Sequence, residues 1–228
     1  NSCASPGTLS APAAAIEIRT EDVARFYRLY EATQGHPTAV QIQRDYLDPG
    51  SAGLRHLTRV RNVDAQGIAR AVATRPELYA NARACLAALP RVRERLERTF
   101  ERLLDLYPEA GRPPVTILVS RGRPLAIAGP GDGVQVALEG MCSEMAARFL
   151  GASVDDRFVN VIAHEYVHVQ QAPERANPTV LQRALEEGIA VVVGELISEA
   201  SLVDVALNHM QVLLVPALDQ PVGTARFH

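Results

Sequence analysis

The 228-residue chain carries a net charge of -3, from 23 basic and 26 acidic residues, with 47% hydrophobic and 21% charged residues. That is the composition of a globular protein with enough apolar mass for a large core. The near balance of charge without any basic tract argues against a dedicated nucleic-acid surface. The uncharged apolar runs fall short of the ~20 residues a membrane-spanning helix needs.

Residues 1–14, rich in Ser, Pro, Ala and Gly, read as a flexible arm. From Thr20 the pattern turns helical, with Thr20 as the expected cap, Glu21 and Asp22 in the first turn, an apolar face of Val23, Phe26, Tyr27 and Tyr30, and a stop at Gly35. Further helices are expected over 38–47, 52–60, 64–74, 77–88 and 91–106, punctuated by Pro49-Gly50, Asn62, Pro76 and Pro90. Residues 15–108 thus form a helical subdomain.

At Pro113 the period changes. The β-branched run Val115–Ser120, then Leu125–Ala128, the turn Gly129–Gly133, and Val134–Leu138 predict a small sheet. The glycine-rich turn lacks both the Lys-Ser/Thr ending and the helix start of a phosphate loop, so it reads as a turn. Beyond Gly140 the pattern is helical to about residue 212, and residues 109–228 form the second subdomain. The expected fold class is α+β, mostly helical, with a small antiparallel or mixed sheet.

His164-Glu165-Tyr166-Val167-His168 lies in an apolar helical stretch that starts at a capping-box-like Ser153-Val-Asp155-Asp156. Residues i and i+4 share a helix face, so His164 and His168 can offer two imidazole nitrogens to one metal ion, while Glu165 flanks it as a general base. A chain with 6 His contains this pattern by chance roughly once in a hundred cases.

A catalytic zinc takes a third protein ligand and keeps one open position. Glu187 supplies it, on a helix expected over about 180–198 behind the capping box Thr179-Val-Leu-Gln182, and Pro173 and Pro178 let that helix fold back. The neighbouring Glu186 points about 100° away and is the weaker candidate. Tyr166 reads as core. His209 is the remaining candidate to hydrogen-bond a developing oxyanion, and a solvated or capping role is its ordinary explanation.

His-Glu-x-x-His followed after eighteen residues by Glu187-Gly188-Ile189-Ala190 resembles the gluzincin metallopeptidases. Tyr46-Leu-Asp-Pro-Gly-Ser-Ala-Gly-Leu54 and the strand, turn, strand and Met141-Cys142 segment are similar to a bacterial family of predicted zinc-dependent proteases, over roughly residues 20–200. The resemblance implies a zincin-like fold with two metal-bearing helices, zinc as cofactor, His164, His168 and Glu187 as ligands, and Glu165 as base. It also implies Val134–Leu138 as an edge strand for an extended peptide substrate. The chain departs from the gluzincin pattern at Val191, where an acidic residue often stands one turn after the ligand Glu.

The expected function is therefore a zinc-dependent peptidase, with a catalytically silent zinc-bound binding or regulatory module as the alternative. The three cysteines contain no CxxC pair, so a thiolate zinc site is not indicated, and a Cys85–Cys142 bridge stays open. The opening Asn-Ser-Cys-Ala-Ser-Pro-Gly resembles the start of an exported protein, with Cys3 as a candidate lipid anchor. The expected location is the periplasm or cell envelope, with the cytoplasm as the alternative. The complete absence of lysine beside abundant alanine points to a bacterial, GC-rich source.

Overall fold

The computed structural model describes residues 15–123, 125–129, 131–151, 153–171 and 179–198. Cys3, His209 and the rest of the C-terminal segment lie outside the described residues.

The N-terminal helices are α1 (Glu21–Ala32), α2 (Ala39–Ile42), α3 (Ala52–Val60), α4 (Ala65–Thr74), α5 (Pro76–Ala84) and α6 (Leu89–Leu106). Caps or prolines open those after α1, whose preceding Thr20 makes no side-chain capping bond, contrary to the expectation from the sequence. Thr38, Ser51 and Asp64 each accept a hydrogen bond from a backbone amide in the first turn of the helix they open. The expected helix over 38–47 changes character midway: Gln43–Leu47 widens into a π turn, which lets Tyr46 and Leu47 both reach the core. The helix expected to run to residue 88 tightens into a 3-10 turn over Cys85–Ala88.

Four strands form one mixed sheet in the order β1 (Ile18–Arg19), β2 (Val115–Leu118), β4 (Gly133–Ala137), β3 (Ala126–Gly129). β1 and β4 run parallel to β2, and β3 runs antiparallel to β4. Every residue of β2 and β4 is buried, so helices cover both faces of the sheet. β1 carries no pattern of its own because two residues cannot show a period. Its register, Ile18 on Val115, is fixed by its partner.

One expectation is corrected here. Val134–Leu138 is not an edge strand, because β4 is paired on both sides and already ends at Ala137, with Leu138 opening the short helix α7 (Leu138–Met141). The edge is β3, paired only with β4 among the described residues. Gly133 closes this hairpin at φ +77°, where a Cβ would fall 2.0 Å from the Pro114 carbonyl oxygen, so only glycine fits.

The segment Tyr46–Leu54 anchors the helical layer to the sheet. The Tyr46 hydroxyl donates to the Val119 carbonyl and accepts from the Val119 amide. Ser51 caps α3 and donates its hydroxyl to buried Asp22. Gly53 packs so closely on Thr116 of β2 that a Cβ would overlap the threonine side chain. After α7 come α8 (Glu144–Leu150), α9 (Val154–Gln170) and α10 (Val180–Ser198). Cys85 and Cys142 are joined in a disulfide, with Cα atoms 6.3 Å apart, tying the turn before α6 to the end of α7.

Candidate metal centre

α9 is fixed at its start and along its buried face. Ser153 caps it by accepting from the Asp156 amide, and Asp155 and Asp156 pair with Arg91 and Arg95 of α6. Phe158, Val159, Ile162, Ala163, Tyr166 and Val167 fill the core. Tyr166 donates its hydroxyl to the Pro113 carbonyl and packs on Phe100, a core role as its apolar setting suggested. His164, Glu165 and His168 are half-buried on the same helix.

α10 opens on the reciprocal Thr179–Gln182 capping box and folds back along α9. The contact is close because Ala190 is fully buried and Gly194 presents no side chain: a Cβ there would stand 3.3 Å from the His164 backbone. This approach brings Glu187 to the two histidines. Glu186 is engaged elsewhere, its carboxylate with Arg183 and its carbonyl with Gln171.

Three donor atoms converge. His164 Nε2 and His168 Nε2 are 3.1 Å apart, with their rings nearly perpendicular. Glu187 Oε2 lies 3.3 Å from the first and 3.4 Å from the second. Donors on a tetrahedral ion at ~2.0–2.1 Å stand about 3.3–3.4 Å from one another, so two sides of the triangle match that spacing and the third is slightly shorter. Among the described residues this is the one cluster of three His, Cys, Asp or Glu groups fit to hold a metal ion.

The three groups are also coupled electrostatically. Hydrogen bonds from His164 and His168 hold the Glu187 carboxyl far below its ordinary range, outweighing its burial. Burial works against a charged His168, but its bonds to Glu187 and Gln171 and the charges of Glu187 and Glu165 raise its pKa on balance. For Glu165, burial pushes the pKa up, against the pull of His164 and His168; Glu187 adds to the rise and Arg61 opposes it. A shift in this direction makes the carboxylate a stronger base than a free one.

Sequence reasoning missed three contributors. Gln171, three residues after His168, accepts at 2.7 Å from that ring's Nδ1. Gly194 stands two turns beyond Glu187 on the same helix face, a spacing that marks the α9 contact only once the fold is known. Arg61, just past α3, brings a positive charge to bear on Glu165. With Val191 in place of an acidic residue, the acceptor at His168 Nδ1 is the Gln171 amide oxygen.

The chain matches no family model, no curated protein and no solved structure. The functional reading rests on this geometry and on the motif.

Proposed function

We propose that the protein is a zinc-dependent peptidase of gluzincin type, with His164, His168 and Glu187 holding the metal and Glu165 acting as general base. The observation that carries this reading is the donor triangle, with sides of 3.1, 3.3 and 3.4 Å built from two helices. When bound, zinc supplies Lewis acidity, lowering the pKa of water towards neutrality and polarising a carbonyl. Glu165, next to His164 on α9, takes the proton from the attacking water and returns it to the leaving amine nitrogen as the amide C–N bond breaks.

Among the described residues β3 is an edge strand, which supports a peptide as substrate, since an extended chain can add to such an edge through backbone hydrogen bonds. β3 packs against α9, the helix that carries the histidines. The Cys85–Cys142 disulfide supports an exported location, because such bonds persist in oxidising compartments.

Glu165→Gln tests the reading. It removes the base and leaves all three donors in place, so zinc content is expected to hold while kcat on a peptide-library substrate falls by about 10²–10⁴-fold. Unchanged turnover in the zinc-loaded variant would rule out the assignment. A silent zinc-bound module shows no hydrolysis even in the wild type.

A further inference from the structure

Gln171 closes α9, its backbone amide bonded to the His168 carbonyl at 3.2 Å. Its side chain makes two further bonds in opposite directions. Nε2 donates to the Glu186 carbonyl at 2.9 Å, on the helix that carries Glu187. That donation fixes which end of the amide is oxygen, and Oε1 then lies 2.7 Å from His168 Nδ1. An amide oxygen only accepts, so Nδ1 must carry the proton, and in the neutral ring the lone pair sits on Nε2.

We infer that Gln171 is a positioning residue for the metal centre, fixing the His168 ring so that Nε2 faces the site and tying that ring to the helix bearing Glu187. The inference rests on the metal reading above. The residue type follows from the two bonds. A carboxylate at this position would face the Glu186 carbonyl with oxygen against oxygen, and asparagine is one methylene short of spanning both partners. A glutamine also orients the ring without adding a negative charge to a site that already holds Glu187 and Glu165. The partner of a ligand histidine's second nitrogen commonly sets 10–100-fold in metal affinity.

The test uses the full chain and zinc alone, titrated in competition with a chelating indicator. Gln171→Met keeps the side-chain size and loses both bonds; Gln171→Asn keeps the amide and loses the reach. Both are expected to bind zinc about 10–100-fold more weakly than wild type, with the metal-free protein still folded and melting only a few degrees lower for the lost inter-helix bond. A purely structural helix cap would not alter the ring itself, so the second readout is the His168 Nδ1 proton by NMR. In the zinc-loaded wild type it should exchange slowly with solvent, and in zinc-loaded Gln171→Met fast. Wild type that binds zinc while both variants bind it equally well overturns this inference alone. Wild type that takes up no zinc overturns the metal reading, and this inference with it.

Discussion

Glu139 is fully buried beside the sheet, its Oε1 accepting from the amides of Ser120 and Gly122 at 3.0 and 2.8 Å. Burial raises its pKa from 4.5, against the pull of those amides, its own amide and the charge of Arg75. A raised pKa means the folded chain holds a proton that the unfolded chain releases. The contribution is therefore fully present below the unfolded value of 4.5 and is lost as pH rises through the folded value. Glu139→Gln keeps the accepting oxygen and cannot ionise. Its unfolding free energy in urea, relative to wild type, is expected to grow from about pH 4 to about pH 8; parallel curves would show that Glu139 does not titrate on folding. At this scale the sequence was legible where local spacing alone sets geometry, as with His164 and His168 one helical turn apart. Glu139 and Gln171 were opaque because their partners, Ser120, Gly122 and Glu186, are joined to them only by the fold.

Between elements, the decisive contact is α9 against α10. Capping residues announced both helices, and the prolines between them announced the reversal. How close they pack depends on Ala190 and Gly194, whose meaning appears only against His164. Gly194→Val inserts a branched side chain where even a Cβ would stand 3.3 Å from backbone atoms. Overpacking of this kind costs about 1–3 kcal/mol, and the displacement carries Glu187 away from the histidines. Lower stability is expected together with weakened zinc binding. Gly188→Ala serves as the contrast, since a Cβ there meets nothing within 4 Å, and both properties should be retained. Thermal melting and zinc titration of the two variants check this. The sheet shows the same division: β2, β3 and β4 were legible from β-branched runs and glycine turns, but strand order was not, because pairing is non-local. The gluzincin resemblance placed Val134–Leu138 at an edge, but among the described residues β3 takes that place and β4 is internal.

Across the whole molecule, helices from both halves of the sequence share one core with the sheet, and β1 from the first half pairs with β2 from the second. The Cys85–Cys142 disulfide spans 57 residues of this arrangement. By the chain-entropy account, closing a loop of that length stabilises the fold by about 4 kcal/mol. Unfolding in urea with and without a reductant should show a loss of this order, and no loss would mean the thiols are unpaired in solution.

The central claim is that α9 and α10 together hold a zinc ion. Elemental mass spectrometry on untagged protein, prepared without chelators, tests it most directly, with His164→Ala and Glu187→Ala alongside. The account predicts about one zinc per wild-type chain and a large loss in both variants. Folded wild-type protein that carries no zinc, even after reconstitution, would contradict it.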